Sequence, residues 1–257
     1  MSIEGMRQLG RHDALPQSSS DIRIQETRKE ITLTANNEAN QIHVHTNLDG
    51  SVDVHVDGEQ FHFSAAQANK LVINAGGGND HILMTGQAFG QNPTIKINGQ
   101  DGNDIILGTN GDYKIYGGRG DDSIYVGNGN NYIEGEDGND RIIAGNGNNN
   151  LRGGNGNDRI LAGNGNNTLV GGRGDDLLRA GNGNNELHGE DGSDFINAGN
   201  GNNRVTTGRG EDTVVLGDGN NKVTGNSRRE DQIHTGSGNN DIRYLEEVIS
   251  RYRRWVD

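Results

Sequence analysis

The sequence predicts an all-β fold of the solenoid type, in which stacked coils of chain replace a round hydrophobic core. Only 29% of the 257 residues are hydrophobic, well below the ~45–50% of an ordinary globular domain. The chain holds 43 glycines and only 2 prolines. Residues 117–224 divide without a gap into consecutive nonapeptides. Because a disordered chain of this composition needs no such period, the repeat favours a folded solenoid.

The chain divides into four segments by composition and period. Residues 1–30 are polar and are interpreted as a mobile tail, and residues 31–74 have the alternating pattern of an antiparallel β meander. Residues 75–243 carry the repeats, interrupted by an insertion around residues 85–92. Residues 244–257 predict a short C-terminal helix that caps the last coil, with a basic docking helix as the alternative.

The meander is predicted to contain three strands joined by two tight turns. Residues 48–50 have the composition of a three-residue hairpin loop with glycine in the left-handed position. Asp57 and Gly58 fit a two-residue turn of type I′. Ser64 is expected to cap one helical turn. This pairing would place His45, Asp53 and His62 side by side, either as solvated polar residues or as a zinc site.

Each nonapeptide carries one invariantly aliphatic position. Position 8 is expected to face the interior together with position 1 of the next unit, because alternate strand residues point the same way. Position 4 is always glycine in the regular units. The position 8 residues are Ile124, Ile133, Ile142, Leu151, Ile160, Leu169, Leu178, Leu187, Ile196, Val205, Val214 and Val223.

Position 6 alternates strictly between two residue types. Odd units carry aspartate: Asp104, Asp122, Asp140, Asp158, Asp176, Asp194, Asp212 and, after one extra residue, Asp231. Even units carry asparagine: Asn131, Asn149, Asn167, Asn185, Asn203, Asn221 and Asn240. The chain therefore has two kinds of turn.

The units resemble the repeats-in-toxin nonapeptide G-G-x-G-x-D-x-U-x of secreted bacterial calcium-binding proteins. The resemblance covers about residues 75–243 and implies a right-handed parallel β-roll in which two units form one 18-residue coil. All aspartates then stack along one edge and all asparagines along the other. The resemblance implies about seven Ca²⁺ sites among the Asp turns, with a further one using Asp80.

Stacked carboxylates ~4.8 Å apart repel each other unless a cation lies between them. Calcium accepts six to eight oxygen ligands, and glycine lets the turn carbonyls point inward. The alternative is a metal-free ladder of charges at position 3, and the two can coexist because the arginines would project outward. This ladder runs through Asp101, Arg119, Asp137, Asn155, Arg173, Asp191 and Arg209.

The asparagine turns are expected to be structural. Their amides are neutral, and stacked amides can hydrogen-bond from coil to coil. An array that orders water or ice is the alternative. Beyond these turns, one sheet face carries an outward apolar stripe that is either covered by the meander or serves a protein partner or self-association. The stripe consists of Tyr125, Ile143, Leu161, Leu177, Phe195 and Val215.

The net charge of −13 disfavours nucleic acid as a partner. The chain has no cysteine and no apolar run of ~20 residues, which excludes thiolate metal sites and a membrane-spanning helix. No signal peptide or catalytic motif is visible. The meander before the repeats resembles the preamble of some bacterial type III-secreted effectors that carry a zinc peptidase, but the peptidase motif is missing.

These features predict a non-enzymatic bacterial calcium-binding β-roll, secreted without a cleavable signal peptide, that serves as a structural or adhesive module. Its folding would be coupled to Ca²⁺ bound along the Asp turns. The alternative is a type III-type effector that folds without metal and binds a host protein through the apolar stripe.

Overall fold

The computed structural model describes residues 6–8, 22–86, 95–226 and 231–244. Two sheets of 13 and 12 strands enclose one hydrophobic core. The 13-stranded sheet 1 contains β1 (Met6–Gln8), β4 (Gln41–Thr46), β5 (Val52–Val56), β6 (Glu59–Phe63), β8 (His81–Gly86), β10 (Ile105–Gly108), β12 (Ser123–Val126), β14 (Arg141–Ala144), β16 (Arg159–Ala162), β18 (Leu177–Ala180), β20 (Phe195–Ala198), β22 (Thr213–Leu216) and β24 (Gln232–Thr235).

The 12-stranded sheet 2 supplies the other wall. It contains β2 (Arg23–Glu26), β3 (Ile31–Thr34), β7 (Leu71–Gly77), β9 (Lys96–Asp101), β11 (Lys114–Arg119), β13 (Tyr132–Asp137), β15 (Asn150–Asn155), β17 (Thr168–Arg173), β19 (Glu186–Asp191), β21 (Arg204–Arg209), β23 (Lys222–Gly225) and β25 (Asp241–Tyr244). One short helix, α1 (Ala65–Ala68), precedes β7.

The repeats form a parallel solenoid with an 18-residue coil, as the sequence predicts. Ile124 pairs with Ile142, which pairs with Ile160 in the next coil. Each coil runs through an Asp turn, a strand of sheet 1, an Asn turn and a strand of sheet 2. Every predicted position 8 side chain is at most 1% exposed. Burying one such side chain contributes roughly 1.5–3 kcal/mol. The core is thin, and this contribution recurs in every coil.

The predicted antiparallel meander is confirmed in β4, β5 and β6. Gly50 has φ +81°, and Asp57 and Gly58 have φ 49° and 90°, as a type I′ turn requires. Ser64 and Gln67 form a capping box at the start of α1.

The solenoid begins earlier than the repeat pattern indicates. β3 pairs in parallel with β7, and β4 pairs in parallel with β8, so these two strands form a coil ahead of the recognisable units. The antiparallel strands β2 and β5 then extend the two sheets at this end. Residues 31–46 therefore belong to the roll as well as to the meander.

Part of the segment that the sequence predicts to be a mobile N-terminal tail is β-strand. β2 lies within residues 1–30, the predicted mobile tail, yet it pairs with β3 along four residues. Its order is explained by Ile22 and Ile24, whose side chains pack against the core. At the other end, Tyr244 closes β25, and the predicted capping helix in residues 245–257 lies outside the described residues.

Candidate metal centre

The two edges of the roll have different backbones. The Asp edge comprises the turns that contain Asp104 to Asp231, and the Asn edge comprises those that contain Asn131 to Asn240. In the Asp turn of residues 153–158, both Gly154 and Gly156 have positive φ, at 129° and 124°. In the Asn turn of residues 162–167, Gly165 alone does so, at 138°. The two residue types at position 6 thus accompany two distinct turn conformations.

The aspartates of the Asp edge form a continuous buried ladder. Their exposed fractions are between 0% and 6%. In each turn one carboxylate oxygen, Oδ1, accepts a hydrogen bond from the backbone N–H of the aspartate one coil earlier. Asp122 donates to Asp140 at 2.8 Å, and Asp140 donates to Asp158 at 2.7 Å. The ladder begins where Asp80 donates to Asp104 at 2.8 Å.

The second carboxylate oxygen, Oδ2, has no hydrogen-bond partner in eight successive turns. A buried acceptor without a donor costs about 1–3 kcal/mol, and more when it is charged. Eight such atoms in one column cannot be accidental defects of packing, and they indicate a missing positive partner. They belong to Asp80, Asp104, Asp122, Asp140, Asp158, Asp176, Asp194 and Asp212.

Glycine at position 1 of the Asp turns leaves space beside these oxygens. A Cβ atom added to Gly135 would lie 2.0 Å from Oδ2 of Asp140 and 2.8 Å from the carbonyl oxygen of Gly153 in the next coil. Real Cβ atoms do not approach other atoms so closely, so a larger residue at this point requires its neighbours to shift. A carboxylate oxygen and a carbonyl oxygen of the neighbouring coil therefore lie around one shared point.

Burial makes ionisation of these carboxylates unfavourable. Burial, together with the charges of the neighbouring aspartates, raises the pKa of Asp122 and of Asp158 to about 8. Burial likewise raises the pKa of Asp194 to about 7. The pKa values of Asp80, Asp104, Asp140, Asp176 and Asp212 are raised for the same primary reason. A bound cation would reverse these shifts, because it favours the charged form.

The donor set of the Asp edge fits a hard cation. Carboxylate and carbonyl oxygens are the ligands that Ca²⁺ prefers. Among the described residues, no three His, Cys, Asp or Glu side chains converge on one point. A site here must therefore combine the carboxylates of successive coils with backbone carbonyls, which is the mixture that the sequence predicts.

The charge ladder of position 3 lies outside this column. Arg119 contacts Asp101 at 3.6 Å and Asp137 at 4.0 Å, and Arg209 contacts Asp191 at 3.2 Å. These side chains are about half to four-fifths exposed, and exposed ion pairs contribute ~0–1 kcal/mol. The ladder coexists with the Asp column but donates nothing to the unpartnered oxygens.

The Asn edge shows how a neutral amide completes the same kind of column. In Asn167, Nδ2 donates to Oδ1 of Asn185 at 3.1 Å and to the carbonyl oxygens of Gly163 and Gly165 at 3.0 and 3.1 Å. The outer asparagines add further ladders, since Asn164 donates its backbone N–H to Asn146 at 2.8 Å. The Asn edge is thus satisfied by hydrogen bonds alone, which supports the predicted structural role.

The sequence pattern did not identify the residues with which the two columns begin in the first coils. Asn40 is fully buried and takes the place of an aspartate one coil before Asp80, donating its N–H to Asp80 Oδ1 at 2.7 Å and its amide to the Ala75 carbonyl oxygen at 3.3 Å. Tyr113, 1% exposed, opens the Asn column by donating its N–H to Asn131 at 3.1 Å. The available signal for Asn40 was Ile42, two residues on, as in every complete unit.

Asp231 differs from the other predicted ligands. Its Oδ2 accepts hydrogen bonds from the backbone N–H of Asn226 at 2.9 Å and from the hydroxyl of Thr207 at 3.2 Å. The structure thus brings seven of the eight predicted aspartates together as one column of unpartnered oxygens, adds Asp80 to them, and sets Asp231 apart.

The apolar stripe lies on the outer face of sheet 1. Its six residues are all partly exposed. The meander does not cover them within the described residues, because its strands continue sheet 1 beyond β8 in place of lying over it. Two arginines stack on the stripe, Arg141 on the ring of Tyr125 and Arg179 on the ring of Phe195, each at 5.7 Å.

The predicted row of His45, Asp53 and His62 is present, and the three side chains form hydrogen bonds. His45 pairs with Asp53, and Asp53 pairs with His62, in the strand register. Nδ1 of His62 lies 2.7 Å from Asp53, and His45 bonds to the Thr85 hydroxyl at 3.0 Å. No metal cluster is found in the described part of the meander.

The geometry defines a parallel β-solenoid with a column of buried, unpartnered carboxylate oxygens along one edge. The model of the RTX calcium-binding nonapeptide repeat (4 copies) matches the chain at residues 98–133, 111–142, 134–169, 161–196, 170–205 and 197–227. Because these matches together span residues 98–227, half of the chain, the chain belongs to the RTX repeat family, and calcium is the cofactor of its repeats.

No match to the chain was found among curated proteins or among solved structures. In the part of the chain that the structure describes, no helix has the length and apolar character needed to cross a membrane.

Proposed function

We propose that this protein is a secreted, non-enzymatic module with a right-handed β-roll that calcium locks into its folded form. Proteins with RTX calcium-binding repeats are typically secreted. The observation that carries the proposal is the column of eight buried Oδ2 atoms without donors. Asp104, Asp122, Asp140, Asp158, Asp176, Asp194 and Asp212 would hold the ions, with Asp80 as the additional ligand. Asp231 is outside this set, because its Oδ2 already accepts two hydrogen bonds.

Calcium would supply the positive charge that the Asp edge lacks. In calcium-poor cytosol the buried carboxylates disfavour the coiled state, so the chain stays loose enough for export. Outside the cell, where calcium is at millimolar concentration, binding to the folded form alone stabilises it by mass action. The resulting rod presents its outer faces as a structural or adhesive surface.

The test is a calcium titration of the chelator-treated full chain, followed by circular dichroism and calorimetry. We expect a cooperative gain of β structure with several ions bound per chain. Magnesium at the same concentration is the matched control, because it demands a smaller octahedral site and should give a far weaker transition. A chain that is fully β-folded in chelator and releases no heat with calcium would contradict the proposal.

A second candidate function rests on the apolar stripe, which the described residues leave uncovered. In this alternative the protein is a secreted effector that folds without metal and binds a host protein, or a second copy, through the stripe. Leu161→Glu and Phe195→Glu should then abolish the association measured by light scattering or with a defined partner. Arg152→Glu, on the opposite sheet, is the matched control and should leave it unchanged. Equal loss in all three variants would contradict this role for the stripe.

A further inference from the structure

Between the turns of Asp104 and Asp212, one turn of the Asp edge carries a side chain at position 1, where the others have glycine; the earlier turn of Asp80 has Ala75 there. Position 1 is glycine in the turns of Asp104, Asp122, Asp140, Asp158, Asp176 and Asp194, but it is Thr207 in the turn of Asp212. Thr207 is fully buried. In the glycine turns an added Cβ would lie 2.0–2.2 Å from the aspartate Oδ2 of the same unit. The Thr207 side chain therefore stands at the point around which the oxygens of the other gaps converge.

Hydrogen bonds replace a cation in this gap. The Thr207 hydroxyl donates to Oδ2 of Asp231 at 3.2 Å, and the backbone N–H of Asn226 donates to the same oxygen at 2.9 Å. The Asn226 amide donates to the carbonyl oxygen of Gly210 at 3.3 Å. The amides of the Asn edge satisfy the corresponding position 4 carbonyls, such as that of Gly165, in the same way.

We infer that Thr207 closes the last gap of the Asp edge, so that the file of divalent-cation sites stops before Asp231, whose carboxylate is held by hydrogen bonds without a metal. This inference rests on the proposed calcium function. The repeat pattern alone would not reveal the stop, because the family match includes this turn. Asp212, the aspartate of the unit that begins with Thr207, keeps an oxygen without a hydrogen-bond partner.

The stop has a consequence for folding. The coil that contains Asp231 needs no ion to satisfy its carboxylate, so its contacts persist when calcium is absent. It gives the roll one end at which the aspartate carboxylate has its partners without an ion. The remaining coils can then add to this end as calcium fills successive gaps, in the nearest-neighbour manner of repeat proteins.

The test compares the number of calcium ions bound per chain, measured by native mass spectrometry and calorimetry, between the wild type and two Thr207 variants. Thr207→Gly empties the gap and should bind one more ion than the wild type. Thr207→Val fills the same space without a hydroxyl, so its ion count should stay unchanged while its melting temperature in chelator falls. Equal counts for the wild type and Thr207→Gly would overturn the inference.

A reciprocal variant guards against a folding defect at position 207. Gly153→Thr places the same side chain in an interior turn and should reduce the ion count, with circular dichroism in calcium confirming that the roll still forms. An unchanged count in a folded Gly153→Thr protein would also overturn the inference. A wild type that binds several ions, with counts unaffected by either variant, leaves the proposed function standing, whereas a wild type that binds none overturns both.

Discussion

The Asp edge and the Asn edge are built in the same way but differ in whether their stacked side chains are fully hydrogen-bonded. Both stack one side chain per coil, and in both Oδ1 accepts the backbone N–H of the preceding coil. The remaining atom is an amide nitrogen on the Asn edge, where it donates to oxygens that surround it. On the Asp edge it is an oxygen without a donor. Replacing one amide group by one oxygen thus leaves a buried acceptor without a donor, and this is the position that we propose a cation occupies.

A change of pH should have the largest effect on the difference in stability between the two edges, because it alters the protonation of the whole Asp column at once. The folded-state pKa values of these carboxylates lie above the unfolded value of ~3.9, reaching about 8 at Asp122 and Asp158. Their contribution to stability without calcium is therefore fully present below about pH 4 and is lost as pH rises through about 6 to 8. Each pKa unit corresponds to ~1.4 kcal/mol.

In chelator, the melting temperature should fall steadily between pH 5 and pH 9. With calcium present the fall should be reduced or reversed, since the ion binds the deprotonated form. Differential scanning calorimetry across this range gives both curves. A melting temperature in chelator that rises with pH over this interval would show that the buried aspartates do not control stability.

The largest single-residue effect is expected from a carboxylate placed on the Asn edge. Asn167→Asp removes three donated hydrogen bonds and faces the Gly163 and Gly165 carbonyl oxygens with a negative charge. The free energy of unfolding should decrease by about 3–5 kcal/mol, the cost of an uncompensated buried charge. Chemical denaturation measures it. Asn166→Asp is the matched control, because that exposed side chain only accepts an N–H bond from Asn184, and it should change stability little.

The converse change on the Asp edge should stabilise the protein in the absence of calcium. Asp158→Asn is isosteric, keeps the acceptor for the N–H of Asp140, and replaces the unpartnered oxygen by a donor. Without calcium the free energy of unfolding should rise by about 1–3 kcal/mol, while the number of bound ions should fall. Denaturation in chelator and calcium counting on the same sample test both parts. A destabilised variant with an unchanged ion count would contradict the interpretation of Oδ2 as a ligand.

The smallest effect is expected from the outer charge ladder. Arg119→Gln removes two exposed ion pairs, to Asp101 and Asp137, and should lower the free energy of unfolding by less than about 1 kcal/mol. The loss should vanish at high salt. Denaturation at low and high ionic strength distinguishes this from a structural role. A loss as large as that of Asn167→Asp would mean that the ladder, and not the inner column, holds this edge together.

Much of the fold could be predicted because the same residue types recur at the same positions in many units. The twelve aliphatic residues at position 8 are all buried, and the alternation of Asp and Asn places them on two edges. The hairpin pairing of the meander was predictable for a local reason, since Asp57 and Gly58 admit only a tight turn with positive φ.

The features that could not be predicted lie where the repeat is degenerate. Asn40 and Tyr113 head the two columns: Asn40 stands in a segment without the glycine signature, and Tyr113 replaces asparagine at position 6 of a looser unit. β2 lies in a polar segment, and its order comes from pairing with β3, which is a contact between segments. Such positions are fixed by the neighbouring coil and not by their own residues.

The sequence by itself determined the coil length, the buried aliphatic column and the separation of carboxylates from amides, because each follows from residue type at a fixed period. Only the tertiary structure decided which carboxylate oxygens lack a donor. Asp212 and Asp231 both stand at position 6 of an Asp turn, the second after one extra residue, yet Oδ2 of Asp212 is unpartnered and Oδ2 of Asp231 accepts two hydrogen bonds. The reason is physical: hydrogen-bond satisfaction in a solenoid depends on the coil stacked next to a residue, at a distance that no local motif encodes.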